Sequence, residues 1–461
     1  MNAAVVLAAG KGTRLRSATP KVLHPAAGRP LLGWVLEAQH PLGLARVVVV
    51  VGHGGDDVRG YVDGLGMPGG RCVPQAEQRG TGHAVRTALD AGALDDATEV
   101  LVLAGDVPAV TPASLEALRA ARGDVPAAVM TTRLADPTGY GRILTDGDRI
   151  TAIVEERDAT DAQRGVDRVN TGLFAFDATA LRGALGRLTT DNAQGEEYLT
   201  DTVALLAAEG GVTGVDVPAD EVAGVNDRAQ LAAVEATLRR RILDGLMVAG
   251  VRVVDPAATY VDAEVEVAAD ATLLPGTMLH GRTRVAAGAV VGPHSRLTDV
   301  VVEADATVTY TVAVEARVGP RATVGPYTHL RAGTVLEAGA KAGGFVEMKK
   351  AHIGEGSKVP HLSYVGDAEV GRGVNVGAGV VTVNYDGFTK SVTTIGDGAF
   401  VGSDTMLVAP IEVGPGAYVG AGSVITTDVP ADALALERGE RRTIEGWAAR
   451  KRERHRKGDQ A

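Results

Sequence analysis

Apolar residues along this 461-residue chain follow two rhythms, which change over near residue 250. From Ala3 to about Val225, short apolar runs at 4–9, 47–51, 100–103 and 127–131 alternate with stretches of helical character such as 112–122. Short apolar runs bounded by turn residues predict buried strands. Their alternation with helices predicts a Rossmann-like α/β domain with a mostly parallel sheet. Between residues 227 and 248, Leu231, Val234, Leu238, Ile242 and Leu246 recur at spacings of three and four, with Arg239, Arg240 and Arg241 between them. That spacing predicts one amphipathic linker helix.

Beyond the helix, aliphatic residues return every six positions: Val261, Val267, Leu273, Leu279, Val285, Val291 and Leu297. The period resumes at Val312, Val318, Val324, Leu330, Leu336 and Ala342, and again from Ile395 through Val401, Leu407, Val413 and Val419 to Ile425. Glycine often follows the aliphatic residue, as in Val318-Gly319 and Val401-Gly402. A period of six fits neither a helix nor an ordinary strand. It predicts a parallel β-helix, with one aliphatic side chain per short strand turned inward, small residues at the corners, and coils stacked about 4.8 Å apart. The phase breaks at 365–370, and again between Thr382 and Ile395, which predicts a loop over 384–393 leaving the coils. The expected organisation is therefore an α/β domain over 1–226, a linker helix over 227–250, a hexapeptide-repeat β-helix over 251–437 and a tail over 438–461. A period of this kind is met equally by a prism that serves only oligomerisation, so the chemistry must come from the polar residues.

Composition narrows the setting. A hydrophobic fraction of 45% over this length supplies more than one core. The net charge of −11 argues against broad nucleic-acid binding, so an anionic ligand must meet locally placed Lys and Arg. The basic run over 450–457 reads as a solvated or disordered end. The single cysteine, Cys72, cannot make an internal disulfide, and no apolar run reaches the roughly 18 residues of a membrane span. A cytoplasmic protein with no membrane partner is expected.

The first strand runs into Leu7-Ala8-Ala9-Gly10-Lys11-Gly12-Thr13-Arg14-Leu15, a glycine-rich loop able to offer backbone amides to phosphates. It is neither a Walker A nor a GxGxxG sequence. Lys21 follows Pro20, and a second small-residue loop spans Gln75-Ala76-Glu77-Gln78-Arg79-Gly80-Thr81-Gly82-His83-Ala84. Together these resemble the sugar-phosphate nucleotidyltransferase superfamily. In that chemistry a sugar-1-phosphate oxygen attacks the α-phosphorus of a nucleoside triphosphate, and catalysis is mostly positioning and charge neutralisation. Arg14 and Lys21 are the candidate catalytic cations. Asp106, at the carboxyl end of a predicted strand, is a candidate ligand for a hard cation such as Mg²⁺. The resemblance completes that metal site with Asn226, which as an asparagine before a helix also reads as an ordinary N-cap. It further implies a nucleotide and sugar site made of Leu7, Ala8, Ala9, Gly10, Lys21, Gln75, Gly80, Thr81, Gly141, Glu155, Asn170 and Asn226. Ala104 stands where some relatives carry an aromatic residue.

In the second half, Gly344-Phe345-Val346-Glu347-Met348-Lys349-Lys350, Pro360-His361-Leu362-Ser363-Tyr364, Asn375-Val376-Gly377-Ala378-Gly379 and Val383-Asn384-Tyr385-Asp386-Gly387 interrupt the hexads with specific polar residues. Acetyl transfer to an amine needs a base, an oxyanion donor and cations for phosphates, and His361 suits the first role. From Leu7 to about Trp447 the sequence resembles the bacterial family of bifunctional N-acetylglucosamine-1-phosphate uridylyltransferase and glucosamine-1-phosphate acetyltransferase. That resemblance implies a left-handed, trimeric β-helix with acetyl sites between subunits. It makes His361 the general base and assigns Arg331, Lys349, Tyr364, Asn375 and Lys390 to glucosamine-1-phosphate. Ala378, Asn384, Tyr385, Ser403, Ala421 and Arg438 fall to acetyl-CoA. The implied product is UDP-N-acetylglucosamine, made with UTP and Mg²⁺ for cell-wall synthesis. The alternatives are a nucleotidyltransferase with a purely structural, oligomerising β-helix, and a sugar-nucleotide sensor without turnover.

Overall fold

The computed structural model describes residues 1–439 and 441–458; of the expected tail, residues 440 and 459–461 lie outside the described residues. The chain divides into two compact units, Met1–Asp244 and Gly245 onward.

The first unit is built on nine strands: β1 (Asn2–Ala8), β2 (Arg46–Val51), β3 (Gly70–Pro74), β4 (Glu99–Ala104), β5 (Ala127–Arg133), β6 (Arg142–Asp146), β7 (Arg149–Val154), β8 (Arg168–Asp177) and β9 (Val212–Asp216). Their order is β9-β5-β8-β4-β1-β2-β3, with the β6–β7 hairpin joined to β8. The four apolar runs of the sequence form β1, β2, β4 and β5, whose central residues are fully buried between two layers of helices. β8 runs antiparallel between β4 and β5, so the sheet is mixed there. Chain order reverses across β1, with β2 on one side and β4 on the other. Open α/β sheets bind ligands beyond the carboxyl ends of their strands at such a point.

Helix Arg228–Val248 forms as the apolar spacing requires. Val234 and Leu238 are buried with Ala26, Leu31, Ala109 and Val225.

The second unit is a left-handed parallel β-helix of three strand ladders. The first runs from Arg252–Val253 to Leu434–Ala435, the second from Tyr260–Val261 to Val424–Ile425, and the third from Glu266–Val267 to Ile411–Val413. Successive coils pair in parallel, as in Leu279 with Leu297 and Leu407 with Ile425. The inward hexad residues are buried nearly throughout. At the phase break after Leu297 the expected inward Val312 is only half-buried. Ala313 takes the core position instead, paired with Leu297 and Leu330, because the intervening coil is shorter. Close stacking explains the glycines: a Cβ on Gly377 would lie 2.5 Å from the Ser403 amide nitrogen of the next coil.

The loop over 384–393 does project. Tyr385 bridges to Lys390, Asp386 Oδ1 accepts from the Phe388 and Thr389 amides at 2.8 and 2.7 Å, and Phe388 is 93% exposed at its tip. The basic tail, read as a solvated or disordered end, forms helix Trp447–Gly458, with Lys451 Nζ 5.0 Å from the Trp447 ring centroid.

Candidate active sites

Just beyond the ends of β1 and β4, one cavity is lined by Leu7, Ala8, Ala9, Gly10, Lys21, Gln75, Gly80, Thr81, Asp106, Glu155 and Asn170. Residues scattered over 160 positions thus meet because β1 and β4 are neighbours, and the Gly105 amide donates to the Leu7 carbonyl at 3.0 Å. The glycine-rich loop turns through Gly12 at φ 57°, where a Cβ would lie 2.6 Å from Lys21 Cβ. Glycine is therefore required there both for the turn and for the close approach of the lysine stem.

Lys21 Nζ makes an ion pair with Asp106 and donates to Asn226 Oδ1 at 2.9 Å. The Val225 amide donates to the Asp106 carbonyl at 2.9 Å and holds the two segments together. The two readings of Asn226 separate here. Asp227 caps the helix, its Oδ1 accepting from the Gln230 amide at 2.8 Å, while the Asn226 amide donates to Gln230 Oε1. The Asn226 side chain is therefore committed to Lys21 rather than to the helix end.

Gln75 is fixed by its own amide nitrogen, which lies 3.2 Å from the Gly80 carbonyl and 2.9 Å from His83 Nδ1. A carbonyl can only accept, so Nε2 is the donor and the Gln75 oxygen is the end left for a ligand. Burial, helped by the positive charges of Arg79 and Arg86, lowers the His83 pKa and favours the neutral ring that accepts from Gln75. Burial, supported by Asp201 and Asp158, raises the Glu155 carboxyl; the Thr200 hydroxyl, donating to Oε1 at 3.0 Å, opposes that rise. Gly141 stands behind Glu155, and its carbonyl accepts from the Asn170 amide at 2.8 Å. Arg14 is not brought to the cavity wall; it is exposed on the short turn Thr13–Leu15, anchored by the buried Leu15.

Gln78, Glu196 and Thr200 also line the cavity. Gln78 lies within the small-residue loop 75–84, and its Nε2 donates to the Ala9 carbonyl at 2.9 Å. Glu196 and Thr200 carry no motif. They arrive because Gly82 and Arg79 exchange backbone hydrogen bonds with Glu197, a pairing no local pattern announces.

On the β-helix the expected residues gather at two edges of the second ladder. His361 ends strand Lys358–His361 at the corner between the first and second ladders. Because Asn375, Phe400 and Tyr418 are in register, the residues three positions on, Ala378, Ser403 and Ala421, continue that corner coil by coil. Arg438 reaches its lower end, within 2.9 Å of where a Gly420 Cβ would stand. His361, Ser403, Ala421 and Arg438 are exposed, whereas Asn375 is half-buried on the first ladder. The next position of this corner carries a column of left-handed residues: His294, Tyr310, Tyr327, Phe345 and Leu362. The first four form a continuous outward stack with ring centroids 5.1–5.6 Å apart.

At the corner between the second and third ladders, Arg331 donates to Glu347 at 3.1 Å and Lys349 pairs with Asp367 at 3.1 Å. Asn384 donates to the same Asp367, and its Nδ2 lies 3.5 Å from the Tyr364 hydroxyl. The Asp367 hydrogen bond raises the Lys349 pKa, and the nearby Lys349 lowers that of Lys390. Tyr385 and Lys390 are exposed on the projecting loop.

Comparison with known proteins accounts for both units. Residues 4–191 match the family of MobA-like NTP transferase domains, and residues 393–427 match the bacterial transferase hexapeptide (six repeats) family. The chain is 52% identical to the Bifunctional protein GlmU of Streptomyces coelicolor, over 98% of its own length and 94% of that protein's. It is 53% identical to the protein of that name from Kineococcus radiotolerans (98% and 92%) and 49% to that from Corynebacterium efficiens (98% and 94%).

Proposed function

The chain belongs to the family of bifunctional GlmU proteins, and from that premise we propose how its two sites divide the work. It is an enzyme of UDP-N-acetylglucosamine synthesis, with acetyl transfer to glucosamine-1-phosphate on the hexapeptide unit and uridylyl transfer to N-acetylglucosamine-1-phosphate on the nucleotidyltransferase unit.

In the acetyl step, His361 takes a proton from the substrate ammonium and the freed amine attacks the thioester carbonyl. As the carbonyl reforms and the C–S bond breaks, the attacking nitrogen gives up its second proton and the leaving coenzyme A thiolate takes one up, leaving amide and thiol. Arg331, Lys349, Tyr364, Asn375 and Lys390 hold the sugar phosphate. Asn384 and Tyr385 flank the thioester, while Ala378, Ser403, Ala421 and Arg438 line the path of coenzyme A. A homotrimer assembled through the β-helix is part of the proposal. The outward aromatic stack beside His361 supports it, since a continuous apolar edge of this kind marks an association surface.

In the uridylyl step, a phosphate oxygen of N-acetylglucosamine-1-phosphate attacks the α-phosphorus of UTP and pyrophosphate leaves. Lys21 neutralises the growing negative charge from the cavity wall, and Arg14, exposed on the turn Thr13–Leu15, joins it only if that turn closes over the bound phosphates. Leu7, Ala8, Ala9, Gly10, Gly80 and Thr81 cradle the nucleotide, and Glu155, Gly141 and Asn170 hold the sugar. The fixed Gln75 oxygen suits uracil, whose N3–H donates, and not cytosine, whose N3 accepts. Enzymes of this fold use a divalent metal, and Mg²⁺ is the proposed ion. Asp106 and Asn226 supply two hard oxygen donors on one cation already, which fits an ion that takes its remaining ligands from water and phosphate. Bound there, it would neutralise triphosphate charge. With those oxygens holding an ion, the Lys21 ammonium would be left to face the phosphates. A cytoplasmic setting completes the proposal, in keeping with a chain whose single cysteine forms no internal disulfide.

The observation that carries the uridylyl reading is Lys21 held between Asp106 and Asn226 on the wall of the cavity. The test is to supply glucosamine-1-phosphate, acetyl-CoA, UTP and Mg²⁺ and to follow thiol and pyrophosphate separately, omitting one substrate at a time. Omitting acetyl-CoA should abolish both signals, and adding N-acetylglucosamine-1-phosphate should restore pyrophosphate alone. Absence of thiol release from the complete mixture would leave the alternative of a nucleotidyltransferase on a structural prism.

A further inference from the structure

Asp367 occupies the corner between the second and third ladders in a left-handed conformation, φ 47°, that few L-residues other than Asn and Asp adopt readily. Its carboxylate receives Lys349 Nζ at 3.2 and 3.1 Å, and it accepts a further hydrogen bond from Asn384 Nδ2. The Lys349 and Asp367 side chains are only 13% and 14% exposed, so neither is a solvated surface charge. The two donors come from different coils and, in the function proposed, serve different substrates: Lys349 the sugar phosphate, Asn384 the thioester.

Burial by itself would raise the Asp367 carboxyl, but the hydrogen bonds from Lys349 and Asn384 outweigh it and hold the group below the usual carboxylate range. The carboxylate is therefore the form that accepts both donors. An ionised carboxylate is acceptor-only, with about four lone-pair sites, and can serve an ammonium and an amide together. A carboxamide carries no charge, and with its oxygen at the Oδ2 position, where both donors meet, its NH₂ end would face the Lys349 ammonium.

We propose that Asp367 is a positioning residue for acetyl transfer, fixing Lys349 and Asn384 in one arrangement so that a single carboxylate aligns the sugar-phosphate and thioester half-sites. The inference rests on the acetyltransferase reading of this edge. Asp367 touches neither the amine nor the thioester in this scheme. Its effect passes through the two side chains it holds, and a misplacement of about 1 Å in such a group can cost on the order of 100-fold in rate.

The experiment compares the full chain with Asp367→Asn, Asn384→Ala and the double variant, by steady-state thiol release with each substrate varied in turn. Pyrophosphate release from supplied N-acetylglucosamine-1-phosphate and UTP serves as an internal control on the same chain. Asp367→Asn should lower kcat/KM for acetyl transfer by about 10- to 100-fold and raise KM for both glucosamine-1-phosphate and acetyl-CoA. Pyrophosphate release should stay at the parent rate. In the Asn384→Ala background, Asp367→Asn should raise KM for acetyl-CoA no further, because its route to the thioester is already gone. It should still raise KM for the sugar phosphate through Lys349. Asp367→Glu, which keeps the charge, should recover the sugar-phosphate KM at least in part, and it serves as the readout if Asp367→Asn does not fold.

Unchanged KM values in Asp367→Asn would overturn the proposal. So would additive effects on the acetyl-CoA KM in the double variant, or a fall in kcat alone with a lowered melting temperature, which is the mark of a structural residue. A parent chain that releases no thiol would instead refute the acetyltransferase reading, and the inference would fall with it.

Discussion

Replacing Lys21 by Met removes one positive charge and three donors while keeping the length of the side chain. Two effects of opposite sign should follow, because Lys21 is shared between Asp106 and Asn226. Loss of a preorganised cation facing developing phosphate charge costs about 2.7–4 kcal/mol, or roughly 10²- to 10³-fold in kcat. The ammonium also competes with the metal for the same two oxygens. Lys21 and Asp106 are 13% and 24% exposed, so the pair is partly screened and is worth about 1 kcal/mol rather than a buried-pair value. Lifting that competition should lower the half-saturating Mg²⁺ concentration about fivefold, at RT of about 0.6 kcal/mol. The assay is pyrophosphate release from N-acetylglucosamine-1-phosphate and UTP over a Mg²⁺ titration, with thiol release as the control that should not change. A kcat within threefold of the parent, or a half-saturating Mg²⁺ concentration raised tenfold, would show that Lys21 is neither the phosphate-facing cation nor a competitor of the metal.

Three further outcomes are expected. As a carboxylate, Glu155 accepts from a sugar hydroxyl through a charge-assisted hydrogen bond that its protonated form lacks. Burial raises its pKa, so uridylyl transfer should fall with decreasing pH from above the usual glutamate range; Glu155→Gln should lose that acidic limb in a pH–rate profile, and an unaltered limb would count against the role. Leu407→Ala empties a fully buried position between Thr382 and Ile425 and should cost about 2–5 kcal/mol in urea unfolding of the second unit, with thiol release lost at denaturant concentrations that leave pyrophosphate release intact. Tyr327→Glu places a charge in the middle of the exposed aromatic stack and should reduce the mass seen by light scattering together with thiol release; an unchanged mass would show that this edge is not the association surface.

How far the sequence could be read follows from how local each signal is. The hexad period is legible because every coil repeats the same demand for an inward aliphatic, and it fails at Val312, where one shortened coil moves Ala313 into the core. The strands at 47–51 and 100–103 are legible as apolar runs. The antiparallel insertion of β8 is not, since strand direction depends on the connection and not on the run. Lys21, Asp106 and Gln75 stand in motifs and could be named in advance. Thr200 and Glu196 could not, because only a backbone pairing with the loop at 79–82 brings them in. Asn226 and Asp227 are both plausible caps by residue type, and only the geometry gives the cap to Asp227. Asp367 lay inside the five-residue step at 365–370, visible as a broken phase but silent about which residue used it.

The central claim is that two independent active sites share one chain, and the most direct measurement follows thiol and pyrophosphate separately in His361→Ala and Asp106→Ala. The account predicts that His361→Ala abolishes thiol release while supplied N-acetylglucosamine-1-phosphate still yields pyrophosphate at the parent rate, and that Asp106→Ala does the reverse. Loss of both products in each variant would contradict it.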